Sequence, residues 1–535
     1  MDYNAEALFD SLCFQPYTLR STFLGELPMK NIKQPFLKCI LSFFIAIFLF
    51  ACAASDDANN TEKTVTVSIP AKLSLQQDAM TFSASLKATT FVDARKYSTD
   101  LAQASFCLTI AADKEEYLKS FFKECGFDTV QLQHTESNQP YDYTGEADGI
   151  SYGLAHYRDN DYDVIAVAIR GISYTYEWIS NIDLGTEGDH TGFSSAAKKI
   201  YIGLKAYIEK YYADSYKNGR LKLWIGGYSR AGAVSNVLAY YILTGLESDD
   251  TYTKFNIDPK DVFVYTFGTP RSLCKAHAEA YPNVFNFVSD ADIVTYIAPE
   301  AYDFYRCGID KLLFTSSTEQ YKREETVEVK TDTYTKYKVS LTSPVDDWMK
   351  EYKIDGLYTF CNHTYREFTD NQESETEFPG DTYATEKECI EYYLNLLLGT
   401  EKTGGISMKT RKSFVETAQP TIEYILRLFL GNTDKLVKAF GEIKTEFIYW
   451  IFTPEAFYNG IKGLFDSNEI QYEETELKKH CNVIYNAVDL INHQGGLTDF
   501  VATVVPLLLS ENKDLLRSMQ MHFPEVTCAA LLKYK

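Results

Sequence analysis

The chain has 535 residues, is 45% hydrophobic and carries a formal charge of −22. That length is enough for one large core with an insertion or for two domains. The acidic balance argues against nucleic acid and against electrostatic docking on anionic lipid as partners. There are eleven cysteines, whose spacing gives neither a disulfide framework nor a metal motif, and dinucleotide and phosphate-loop glycine patterns are absent, so no cofactor is expected.

The N-terminus reads as an export signal. Lys30, Lys33 and Lys38 precede an almost wholly apolar run over 39–51, which is too short for a comfortable transmembrane helix. Leu49-Phe50-Ala51-Cys52 resembles a bacterial lipobox, whose cysteine carries lipid after cleavage. Met29 looks like the natural start, and nothing in 1–28 argues for a fold. The expected layout is therefore a leader and signal over 1–51 and a small, polar tether over 52–65. An exported lipoprotein of a bacterial cell envelope, anchored to the membrane through Cys52, is the expected localisation.

From about 66 to 160 the chain approaches a core, with Leu118, Phe121, Phe122 and Phe127 expected on one helical face. Val164-Ile165-Ala166-Val167-Ala168-Ile169 is a continuous apolar run, the pattern of a buried strand, and it leads into Arg170-Gly171-Ile172-Ser173 and then Glu177-Trp178. A helical stretch follows through Phe193, Ile200 and Leu204. Leu221 to Ile225 is the next apolar run. It enters Gly226-Gly227-Tyr228-Ser229-Arg230-Ala231-Gly232, and Val234, Val237, Leu238, Tyr241 and Ile242 then fall on one helical face. Strand, tight Gly-flanked turn, serine, helix: this is the context in which a serine hydroxyl projects from the end of a sheet. Small flanking residues are required because strand and helix pass close together there. Val262 to Phe267 is another buried strand, ending in Gly268-Thr269-Pro270-Arg271. Val284 to Val288 precedes Ser289-Asp290-Ala291-Asp292-Ile293-Val294.

The remainder is longer than a minimal core needs. Residues 318–345 alternate around Thr326-Val327-Glu328-Val329 and predict a hairpin. Residues 368–386 are acidic and loop-like, and 387–516 turn helical and aromatic. A helical subdomain with its own core fits this stretch, and so does a cap over the serine. Met521-His522-Phe523-Pro524-Glu525 then follows.

Taken together, the strand entering Arg-Gly, the tryptophan, the serine elbow, the Thr-Phe-Gly-x-Pro-Arg strand end and the Asp-x-Val segment resemble the class 3 lipase family of α/β-hydrolases. The resemblance implies an α/β fold with a mostly parallel sheet: a core over 66–317, a largely helical insertion over 318–516 and a C-terminal segment over 517–535. It also implies a serine ester hydrolase, acting on lipid or acyl esters through an acyl-enzyme and needing no metal or organic cofactor. A phospholipase, acyltransferase or peptidase on the same residues is the alternative, as is a surface interaction protein with weak catalysis.

In this fold the nucleophile, acid and base follow one another along the chain, so an acid and a histidine must follow Ser229. The resemblance places the acid at Asp292. Asp290 is two residues away, and in an extended segment the two share a face. For the base it favours His522, followed closely by Pro-Glu, with His363 as the rival. Backbone N–H groups of Arg230 and Ile172 are the expected oxyanion donors. Two departures stand out: Ile172 occupies a position where the family has a hydroxyl residue, and Ala231 stands where the last glycine of the elbow would be.

Overall fold

A seven-stranded sheet organises the computed structural model. The structure describes residues 63–69, 80–86, 90–133, 150–159, 162–171, 177–246, 249–289, 292–314, 322–330, 334–342, 364–369, 410–442, 453–486 and 521–533. The expected signal segment, Cys52, Ile172, Asp290 and His363 lie outside these residues. Among those described, no helix is long and apolar enough to cross a membrane.

The sheet strands run in chain order: β3 (Asp128–Gln133), β4 (Tyr152–Asp159), β5 (Tyr162–Ile169), β6 (Leu221–Tyr228), β7 (Val262–Phe267), β8 (Val284–Ser289) and β9 (Ile309–Phe314). The first three pair antiparallel, and β5 to β9 are parallel. The continuous apolar runs are these parallel strands: with helices on both faces, neither side chain of an alternating pair can face water. Every residue of β6, β7 and β8 is buried.

The two faces differ in character. Trp224, Tyr228, Phe263, Tyr265, Phe267, Phe285 and Phe287 form one core with α1 (Thr99–Ala111) and α2 (Glu115–Glu124). Leu223, Ile225, Val262 and Val264 form the other with α4 (Thr191–Tyr211) and α6 (Arg230–Thr244). Two short helices, α3 (Trp178–Ile182) and α5 (Ala213–Lys217), flank α4.

Three boundaries differ from the sequence expectation. A hairpin of β1 (Lys63–Ile69) and β2 (Met80–Leu86) already begins within the range expected for the tether, and its Val65 and Phe82 pack under α1. Phe127 is not on the helical face with Phe121 and Phe122. Gly126 takes a φ of 74° just past α2, and Phe127 turns instead onto Trp224, ring centroids 5.9 Å apart. The hairpin expected within 318–345 exists as β10 (Lys322–Lys330) and β11 (Tyr334–Thr342), and it gains a third strand, β12 (Thr364–Thr369).

Beyond it come α7 (Arg411–Thr417), α8 (Gln419–Glu442), α9 (Pro454–Ser467), a further helix α10 over 474–486, and α11 (Pro524–Lys533). Leu436, Phe457, Leu464, Phe465 and Leu477 give α8, α9 and α10 a core of their own. Arg411 fastens α7 to the α/β core. Its Nε donates to Gly185 O at 2.6 Å and its Nη1 to Gly188 O at 2.8 Å, and the guanidinium lies 4.0 Å from the Phe304 ring centroid. The last helix, α11, returns to the aromatic face, where Gln103 of α1 donates to Leu531 O at 3.2 Å.

Candidate active site

Parallel pairing brings the carboxyl ends of four strands level. Ile169 pairs with Gly227, Tyr228 with Phe267, and Phe267 with Phe287. Open α/β sheets bind ligands at this edge.

Ser229 follows β6 directly and has φ 56° and ψ −127°, a conformation that L residues rarely adopt. Such strain costs about 1–3 kcal/mol and persists only where the surroundings over-determine it. Here they do. Ser229 N–H donates to Phe267 O at 2.8 Å, and Ser229 O accepts from Gly232 N–H at 2.8 Å. A Cβ on Gly227 would stand 2.2 Å from Ala231 O, so glycine is required there. The departure at Ala231 is accommodated by Gly171. A Cβ on Gly171 would come within 2.9 Å of the Ala231 methyl and 1.8 Å of Tyr228 O, so the missing side chain leaves room for both.

Asp292 follows β8 and caps the short 3-10 turn Ile293–Tyr296, its Oδ1 accepting from Val294 N–H at 2.9 Å. Its other oxygen, Oδ2, lies 2.7 Å from His522 Nδ1, and His522 Nε2 lies 2.7 Å from Ser229 Oγ. Asp292 is nearly fully buried, and the His522 side chain keeps 15% of its surface open. The imidazole is held from both sides of the chain: Met521 and Phe523 sink into the aromatic core, and Pro524 starts α11 at the first helical position, where a proline fits without loss.

The other described histidines have different partners. His156 sits between Asp128 and Asp163, and His480 between Thr421 and Glu476. His277 lies on Asp189. His190 caps α4, accepting from Phe193 N–H at Nδ1 and donating from Nε2 to Asn181 O, and burial pushes its pKa down to about 3.

Arg230 opens α6 immediately after Ser229, so the positive end of the helix faces the serine. Its side chain turns inward and donates from Nη2 to Ser180 Oγ at 2.8 Å, leaving only its backbone to serve the expected oxyanion role. Ile172 lies outside the described residues. Arg170 Nη2 reaches both oxygens of Glu177, at 3.0 and 3.2 Å, in a buried pair.

Two residues beside His522 have no local sequence signal for their part. Gly268 has φ +55°, and a Cβ there would stand 2.8 Å from His522 Cε1 and 3.0 Å from Nδ1. The imidazole thus lies where a side chain at 268 would be. Tyr228 sends its hydroxyl to His522 O and so ties the residue before the serine to the histidine's own backbone.

The mostly parallel seven-stranded sheet with helices on both faces is an α/β-hydrolase fold, and Ser229, His522 and Asp292 form one hydrogen-bonded line at its edge. Residues 166–302 match the family model described as Lipase (class 3). Over these 137 of its 535 residues the chain is similar to class 3 lipases. The matched stretch includes Ser229 and Asp292 but ends well before His522. Among solved structures, a fungal lipase in an inhibitor complex is similar at 18% identity over 42% of this chain and 83% of that one, with a TM-score of 0.30. The lipase of Rhizomucor miehei in its propeptide complex is similar at 19% identity, covering 44% and 74%, with a TM-score of 0.29. Lipase II from Rhizopus niveus is similar at 15% identity, covering 42% and 84%, also with a TM-score of 0.29. No curated protein matches the chain.

Proposed function

We propose that the protein hydrolyses acyl esters of lipids through a Ser229–His522–Asp292 triad and an acyl-enzyme. The observation that carries this reading is the pair of 2.7 Å contacts from one imidazole, Nε2 to Ser229 Oγ and Nδ1 to Asp292 Oδ2. Asp292, accepting at Nδ1–H, fixes the tautomer that leaves the Nε2 lone pair facing the hydroxyl. Ser229 Oγ adds to the ester carbonyl while its proton passes to Nε2. The oxyanion is met by the backbone N–H of Arg230, at the positive end of α6, and by that of Ile172. Collapse expels the alcohol, which takes the proton from Nε2. Water then repeats the sequence and frees the acid.

The test is covalent labelling together with turnover. A fluorophosphonate should label the wild type quickly, and Ser229→Ala should abolish both labelling and ester hydrolysis with almost no change in melting temperature. Labelling retained in that variant would sink the assignment. A panel of short and long acyl esters, phospholipids and an alcohol acceptor separates lipase from phospholipase and acyltransferase.

We also propose that Cys52 carries a lipid anchor after export, on the strength of the apolar run over 39–51 and the lipobox-like Leu49-Phe50-Ala51-Cys52. Stable anchoring needs more than one acyl chain. The precursor made in a bacterium should partition into detergent, and Cys52→Ser should release it or leave it unprocessed. Labelled fatty acid on the Cys52→Ser protein would refute the site.

A further inference from the structure

A second group of reactive side chains gathers outside the triad, where the loop entering α4 meets the loop after β7. Asp189 Oδ1 accepts from Cys274 N–H at 2.9 Å. His277 Nδ1 lies 2.9 Å from both oxygens of the same carboxylate. One ligand atom from each of the three residues lies within 4.8 Å of the other two. The His277 ring is fixed by stacking on Tyr240, centroids 4.5 Å apart. Cys274 is buried, the Asp189 side chain is 8% exposed and that of His277 31%.

We propose that Asp189, Cys274 and His277 form a transition-metal site that takes zinc. Tetrahedral zinc holds sulfur at about 2.3 Å and nitrogen or oxygen at about 2.0–2.2 Å, so its ligand atoms stand about 3.3–3.8 Å apart. The observed spacing needs only small side-chain shifts to meet this. A thiolate and an imidazole in the set select against calcium and magnesium, which demand oxygen. On binding, the thiol loses its proton to solvent. The Nδ1 lone pair of His277 turns to the metal, and its ring proton resides on Nε2. Zinc with one thiolate and one carboxylate is neutral, so the ion also offsets a poorly solvated negative charge. The outer partners are already present. The Cys274 N–H orients the carboxylate and Tyr240 orients the imidazole, the kind of support that ligands in metal sites require. Water completes the fourth position on the open side of His277.

The ion would clamp two loops. One carries Asp189 and is the loop whose carbonyls wrap Arg411. The other runs from Gly268, beneath His522, to Cys274. The clamp is independent of which residues perform the chemistry at Ser229.

The experiment uses the purified full chain, stripped of metal and dialysed against zinc or cobalt(II). Wild type should retain one zinc per chain, show a thiolate-to-cobalt charge-transfer band in the near ultraviolet, and melt at a higher temperature with zinc than without. Cys274→Ser, a near-isosteric change, should fold but lose the band and the zinc-dependent shift. His277→Ala should lose stoichiometric zinc as well. A wild type that retains no stoichiometric zinc overturns the proposal. So does a Cys274→Ser protein that keeps the band, because the metal would then sit on other cysteines.

Discussion

Replacing Gly268 by alanine tests how closely the imidazole position is set. The new Cβ would stand 2.8 Å from His522 Cε1, 3.0 Å from Nδ1 and 3.5 Å from Asp292 Oδ2. Ordinary contacts begin at about 3.5–4.0 Å, so the ring must retreat by about 0.7–1.2 Å. A misplacement of about 1 Å in a reacting group costs about 100-fold in rate, which corresponds to about 2.7 kcal/mol of barrier. The positive φ at 268 adds about 1 kcal/mol of backbone strain to the folded state alone, a shift of about 2–4 °C in melting temperature for a domain of this size. The assay is kcat/KM on a soluble short-chain ester beside the rate of fluorophosphonate labelling. Both should fall about 100-fold in a protein that still melts cooperatively. In a His522→Ala background the same substitution should cost nothing further, because the group it displaces is gone. A folded Gly268→Ala protein with wild-type turnover would refute the reasoning.

His522→Ala should cost about 10⁴–10⁶ in kcat, and His363→Ala far less; the reverse order in a kinetic comparison would remove His522 from the triad. Tyr228→Phe deletes the hydroxyl that ties the histidine's backbone to the elbow. Steady-state kinetics should show kcat lowered by about 3–10-fold with KM unchanged, and a melt should show about 1 kcal/mol lost; an altered KM would point to substrate contact instead. His190 concerns acid stability. Burial holds its imidazole neutral with a pKa of about 3, below the ordinary 6.5, so the unfolded chain binds the extra proton first. The contribution is present in full above about pH 6.5 and declines as pH falls toward 3, to a loss of up to about 4 kcal/mol. His190→Asn, which keeps a side-chain acceptor for the helix cap, should flatten melting temperature against pH between 4 and 6.5; an unchanged slope would contradict it.

Ser229 was legible because everything that defines its turn lies within ten residues: an apolar strand, flanking glycines and a helix with one apolar face. Asp292 and His522 came from resemblance rather than from physics, since a lone acid or histidine carries no local mark of its partner 230 residues away. Phe127 misled because helical spacing continues past α2, while Gly126 ends the helix one residue earlier. The parts of Gly268 and Tyr228 were invisible for a different reason. Each is recognisable only when residue 522 is already in place above it. The same holds for Asp189 and Cys274, whose contact spans 85 positions, and for Arg411, whose carbonyl cradle is supplied by a loop more than 200 residues earlier.

The order of these parts along the chain has a consequence for biosynthesis. The proposed nucleophile and acid and the strands that carry them are complete by about residue 314, yet the proposed base is at residue 522. During translation, therefore, the sheet can assemble with its serine already strained and still lack a base. On the proposed triad, a chain interrupted anywhere before residue 522 would be inert rather than merely weaker. Activity would then appear only once residue 522 has been made, long after the strands that carry Ser229 and Asp292.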